Sequence, residues 1–209
     1  MSLSPAENHD STTATVTLPE EQLRRAGVYS VLAALLRDAP TDAVLDFVAE
    51  LEVDAASSGN ELLVSLNMLS LAARHSASQS LADEYHALFI GLGRGELVPY
   101  GSWYQTGFLM EKPLGLLRRD LADLGFTRSP DVHEPEDHVA ALCEVMAMLI
   151  QEGVALDRQR HFFLTHIGSW ADRFFDDLGA ANASVFYRSV ARFGHAFLAM
   201  ENRYLSLND

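Results

Sequence analysis

Cysteine is nearly absent from this sequence: Cys143 is the only one. No internal disulfide can form, and a reducing compartment is the expected setting. At 209 residues the chain needs no such staple, because a domain of that size buries roughly 70% of its unfolded surface. Basic residues are also scarce, 15 Lys and Arg against 29 Asp and Glu, for a formal net charge of −14. A general nucleic-acid binder needs cations to displace counterions from phosphates, so that class is excluded. A surface this acidic attracts cationic partners instead. Long apolar runs are missing. The longest, Val139 to Ile150, has 12 residues and carries Glu144, well short of the roughly 20 that a membrane span requires. Sustained period-two alternation is missing too, which removes β-strands from the expectation. The opening MSLSPAENHDSTTATVTLPEEQ has neither the basic start nor the apolar core of a secretory signal. Residues 1–17 read as a disordered polar tail, and a cytoplasmic protein is expected.

What is present is helical periodicity. Thr17-Leu18-Pro19-Glu20 has the form of a capping box, followed by apolar positions at Leu23, Val28, Val31, Leu32, Leu35 and Leu36 and a stop at Pro40. A second helix starts near Thr41 and buries Val44, Leu45, Val48 and Leu51, before a loop from Ala55 to Gly59. A third runs from Asn60, a good N-cap, to about His75, with Leu62, Leu66, Leu69 and Ala73 on one face. Ser80-Leu81-Ala82-Asp83 reads as another capping box, opening a helix with Tyr85, Leu88 and Phe89. Gly91 to Ser102 has no period. Helix resumes at about Trp103, is interrupted at Pro113 and ends at Gly125, a C′ residue. The irregular stretch Phe126 to Glu134, a candidate hinge, leads to Pro135 at a helix start. That helix is apolar through Val139, Leu142, Val145, Met146 and Leu149. Helices over about Asp157 to Leu178 and Asn182 to Tyr204 complete the chain. The expectation is all-α: a single globular bundle of roughly eight to ten helices over residues 18–209.

Several clusters invite chemistry. Gly91-Leu-Gly93-Arg-Gly95 lacks both the lysine-containing pattern and the preceding strand of a phosphate loop. It reads as a connection. His133-Glu134-Pro135-Glu136-Asp137-His138 holds two histidines five apart across a proline, so they cannot share a helix face as metal ligands do. The better reading puts Pro135 at the first helical position and Glu136 and Asp137 in the first turn, where the helix dipole favours anions. Asp137 is then placed to accept from backbone N–H groups of that turn, and His138 to donate to a nearby backbone group or carboxylate. His161 and His166, also five apart, face differently and read as ordinary. Cys143 reads as a small core residue. No nucleophile–base pair or zinc pattern is present, and no catalytic, metal or cofactor site is expected; an enzyme with a dispersed site would centre on Glu134 to His138. Aromatics at Tyr100, Trp103 and Tyr104 mark a loop–helix junction. Beside an acidic Glu134 to Asp137, they would form an apolar groove with a negative rim, suited to a peptide with positive charges ahead of an apolar stretch.

Three segments, Asp83 to Tyr104, Glu134 to Met146 and Phe162 to Phe175, occur in an order that resembles the TorD/DmsD family of cytoplasmic chaperones for molybdenum-cofactor oxidoreductases. The matching elements are EYHALF, the PYGSWY run, EPEDH with its apolar helix, and a histidine–tryptophan helix; Glu96-Leu97-Val98 stands where the family often has a further proline. The resemblance implies an all-helical, TorD-like bundle and binding of a twin-arginine signal peptide together with the apo-form of the client enzyme. By family analogy Tyr100, Trp103, Tyr104, Pro135, Asp137 and His138 line or shape that site, with Glu84, Tyr85 and Glu134 in support. It also implies a monomer or a domain-swapped homodimer. The client that the resemblance implies is of the formate dehydrogenase or of the trimethylamine-N-oxide/dimethyl-sulfoxide reductase type. A NarJ-like chaperone that binds the mature client rather than its signal is the alternative within the family.

Overall fold

The computed structural model describes residues 3–5, 18–51, 59–128 and 134–207. Among the described residues ten α-helices follow one another: α1 (Glu20–Arg37), α2 (Asp42–Ala49), α3 (Glu61–Arg74), α4 (Ser78–Tyr85), α5 (Gly101–Thr106), α6 (Lys112–Asp123), α7 (Val139–Gln151), α8 (Leu156–His166), α9 (Ala171–Ala180) and α10 (Tyr187–Leu207). The all-α expectation holds, with one exception: β1 (Leu3–Pro5) and β2 (Phe126–Arg128) pair antiparallel, Ser4 opposite Thr127. Two three-residue strands are too short to leave a period in the sequence. The rest of the expected tail, including the Thr17 cap, lies outside the described residues, as do most of the loop before Gly59 and residues 129–133 of the expected hinge.

Contacts group the chain into two compact units, each drawn from two stretches. The first comprises residues up to Ala33 and Tyr100 to Ser169. Its α7 is buried along nearly its whole length, from Val139 to Ile150, as a helix apolar on every face must be. Cys143 sits in that core at 4% exposure, and burial pushes its thiol up to about 12. It is therefore a protonated packing residue at neutral pH, as the sequence reading expected. Arg25 is buried as well, its guanidinium donating to Gln22 and Gln159. The apolar reading of α1 needs correcting at Leu23, which is 53% exposed. At 100° per residue it falls roughly opposite the stripe formed by Arg25, Tyr29, Leu32 and Leu36, all buried.

Helix boundaries in this unit differ from expectation where local hydrogen bonds compete. The break after α5 comes at Gly107, which takes the left-handed conformation (φ 81°), while Pro113 sits in the first turn of α6 instead of interrupting it. Gly125 follows α6 at φ 83°, as a C′ residue should. The helix expected from Asp157 to Leu178 is two helices. α8 closes at Ile167, and Gly168 N–H reaches back to Phe163 O at 2.8 Å; a Cβ on Gly168 would stand 3.1 Å from the Phe163 ring.

The second unit comprises Ala34 to Pro99 and the chain from Trp170 onward. Asn60 caps α3 as expected, accepting from Leu62 N, and Thr41, near which the second helix was expected to begin, caps α2 by accepting from Val44 N. Leu45 and Val48 of α2 and Leu69 and Ala73 of α3 are buried. The box at Ser80 is not a cap. α4 begins at Ser78 after an extended Ala77, whose carbonyl already accepts from Ser80 N and Leu81 N. A π-helical turn, His86–Ile90, continues α4, and Gly91 closes it by donating to His86 O at 2.7 Å. α10 starts at Tyr187 rather than at Asn182 because two carboxylates claim the preceding donors. Glu96 accepts from Asn182 N and Ala183 N, and Glu84 accepts from Val185 N, Phe186 N and Tyr187 N.

Candidate functional site

The aromatic junction and the acidic cluster come together in the first unit. Tyr100 and His138 form an isolated antiparallel bridge, and Gly101 N donates to Asp137 O at 2.9 Å. Ser102 N then donates to Asp137 Oδ2 at 2.7 Å, satisfying one of the orphan amides at the start of α5. Asp137 thus serves α5, not its own downstream helix. Pro135, Glu136 and Asp137 precede α7, which begins only at Val139 with His138 as N-cap. The expected first-turn placement of Pro135, Glu136 and Asp137 is corrected accordingly, because the antiparallel bridge holds this segment against Tyr100 and delays the helix. Asp137 is 3% and Ser102 0% exposed, and Asp137 Oδ1 and Ser102 Oγ have no hydrogen-bonding partner among the described residues.

His138 Nδ1 accepts from Ala140 N at 3.2 Å, so the ring is the neutral tautomer with its hydrogen on Nε2. That nitrogen stands 3.9 Å from Glu134 Oε1. Tyr100 packs edge-on against the imidazole, centroids 5.1 Å apart, and donates its hydroxyl to Glu134 Oε1 at 2.9 Å. Glu136 is buried, with Arg118 of α6 compensating its charge at 3.0 and 2.9 Å, the pairing that a buried carboxylate needs. The result is a graded arrangement. Asp137, His138 and Glu136 are buried and fixed, while Tyr100, Trp103, Tyr104, Glu134 and Pro135 are half-buried and present surface.

Glu84 and Tyr85 belong to the other unit, with structural duties there. Glu84 holds the entry to α10, and Tyr85 donates to Arg37 O at 2.8 Å.

One cluster escaped the sequence reading. His166 Nε2 lies 2.6 Å and His161 Nε2 3.4 Å from the same Asp120 Oδ2, at the edge of a cleft of about 240 Å³ lined also by Asp123 and Asp157. Five-residue spacing alone hid this, because the partner that joins the two rings sits on α6. Burial lowers the pKa of His166, partly offset by its hydrogen bond to Asp120. Among the described residues, no three His, Cys, Asp or Glu side chains are grouped to hold a metal ion, and no helix is long and apolar enough to cross a membrane. His133 lies outside them.

Known proteins resemble the chain along most of its length. Chaperone protein TorD of Vibrio parahaemolyticus is 26% identical over 63% of this chain and 67% of its own length. TorD of Vibrio cholerae is 29% identical over 63% and 65%, so the chain spans about two thirds of each of these relatives. TorD of Vibrio atlanticus is 24% identical over 88% of this chain and 95% of its own length. A redox enzyme maturation protein from Archaeoglobus fulgidus shares the fold, with a TM-score of 0.56 at 20% identity over 92% of this chain and 99% of that one. The nitrate reductase delta subunit family model matches residues 52–176, more than half of the sequence. With the helical fold and the order of the motifs, that match places the protein: the chain belongs to the nitrate reductase delta subunit family, the family of the TorD chaperones.

Proposed function

We propose that this protein binds the twin-arginine signal peptide of a molybdenum-cofactor oxidoreductase in the cytoplasm, together with the enzyme's apo-form, and holds both until cofactor is inserted. The observation that carries the reading is the half-buried Glu134 carboxylate, fixed by the Tyr100 hydroxyl at 2.9 Å, with the half-buried Trp103 and Tyr104 following Tyr100 in the first turn of α5. An anion next to an aromatic face suits a guanidinium, which pairs with the carboxylate and stacks on the rings. Tyr100, Trp103, Tyr104, Glu134 and Pro135 make the contacts in this reading. Asp137 and His138 act by positioning, since one ties down α5 and the other caps α7. The client is of the formate dehydrogenase or trimethylamine-N-oxide/dimethyl-sulfoxide reductase type.

The mechanism is equilibrium binding, not chemistry. Release to the export machinery requires modest affinity, micromolar or about −8 kcal/mol. Isothermal calorimetry with a synthetic twin-arginine signal peptide tests this. Binding in the micromolar range is expected, weakened about tenfold by Trp103→Ala or Glu134→Gln at unchanged Tm. Asp137→Ala is expected to lower both affinity and Tm, because it frees the start of α5. Absence of heat with signals from several clients, alongside capture of the signal-less apo-enzyme, would replace this reading with that of a NarJ-like chaperone for the mature client.

A further inference from the structure

Between α5 and α6 the chain displays three consecutive apolar side chains to solvent: Phe108 at 68%, Leu109 at 45% and Met110 at 70% exposure. This is not a loosely tethered loop. Thr106 Oγ1 donates to Ser102 O at 2.8 Å and accepts from Phe108 N at 3.2 Å, so the tip is tied to the end of α5. Met110 has φ 60°, the only positive φ outside glycine among the described residues. A long side chain held in that region is strained, and here no burial compensates it. Exposed apolar surface kept in a strained, anchored turn is the signature of a surface shaped for contact.

The position of the turn indicates what covers it. Tyr100, which holds Glu134, precedes the first residue of α5, and Phe108 follows its last turn. The helix axis between them spans on the order of 10 Å, at 1.5 Å per residue. An extended peptide covers that distance in about three residues. A ligand with cationic residues followed directly by an apolar stretch therefore meets an anion at one end of α5 and an apolar surface at the other, with Trp103 and Tyr104 between them in the sequence of the helix. We infer that Phe108, Leu109 and Met110 receive the apolar stretch of the signal peptide, which runs along α5 with its arginines at the Glu134 end. The inference rests on the signal-peptide reading and adds to it a direction and a second subsite.

The test is calorimetry on the full chain with three peptides: the complete signal, one whose apolar stretch is replaced by Gly and Ser, and one with four Gly-Ser residues inserted between the arginines and that stretch. Phe108→Ser/Met110→Ser is expected to weaken the complete signal about tenfold, to have no further effect on the Gly/Ser-replaced peptide, and to leave Tm unchanged. Leu109→Ser, read separately, gives the same pattern should the double variant fold poorly. The inserted peptide is expected to bind the wild type as weakly as the replaced one. Unchanged affinity of the variants for a signal that the wild type binds would overturn the second subsite and leave the signal-peptide reading standing. Tight binding of the inserted peptide would overturn the direction and spacing. A wild type that binds no signal would overturn both.

Discussion

Glu84 holds three backbone amides at the entry to α10 with one carboxylate, two of them at 2.8 and 2.9 Å. Removing the acceptor leaves donors without a partner, at a cost comparable to a lost N-cap, on the order of 1–2 kcal/mol. Glu84→Ala is expected to lower the urea midpoint with an unchanged m-value. At His166 the effect is on pH. Burial keeps its pKa below the usual 6.5, so the unfolded chain takes up the proton first as pH falls. Stability is therefore intact above about pH 7 and declines as pH drops through the unfolded value. His166→Gln is expected to flatten the fall in Tm between pH 7 and pH 5.5; parallel curves for the two proteins would assign the acid sensitivity to carboxylates instead. A residue whose partner lies within a few positions can be legible in the sequence, as Asn60 shows. Asp137 was not, because its amide partner lies 35 residues upstream. Asp120 was missed for the same reason, joining two histidines from a different helix.

Among the elements, α9 and α10 pack closely enough that side-chain size at their contact is decisive. A Cβ on Gly194 would stand 2.3 Å from the Phe175 ring. Gly194→Ala is expected to lower stability by about 1–3 kcal/mol, the usual range for overpacking. Adding Phe175→Leu should recover part of the loss in a thermal melt; no recovery would locate the strain in the helix backbones. α3 was legible because its apolar period and its Asn60 cap agree; the apolar body of α7 was legible too, but not its start, which the bridge to Tyr100 delays to Val139. The ends that shifted, at Gly107, Gly168 and Tyr187, are those where a glycine, a ring contact or a distant carboxylate decides, and none of these has a local signature. The π-helical turn after α4 was likewise invisible, since its side-chain pattern matches that of an ordinary helix.

For the whole molecule, the net charge of −14 acts on folding and binding in opposite directions. Self-repulsion opposes compaction, so screening it should stabilise the fold. Attraction to a cationic signal is screened by the same ions, beyond roughly 8 Å at physiological ionic strength. Raising salt from about 50 to about 500 mM is thus expected to raise Tm while weakening the signal peptide, and a parallel change in both would show that charge is not what draws the ligand. Fold class followed from composition and period, whereas the partition into two units did not. Each unit is assembled from stretches that alternate along the chain, and no short-range pattern encodes such pairing. That alternation has a consequence during synthesis. Glu84 is made just over 100 residues before the amides it holds, an interval of roughly 5–20 s at ribosomal speed. Through that interval the second unit lacks α10 and leaves uncovered the apolar face of α3 that α10 will pack on, whereas every residue of the first unit has already been made by Ser169. A protein of this architecture is thus, for several seconds of its own birth, a chain with an open apolar face.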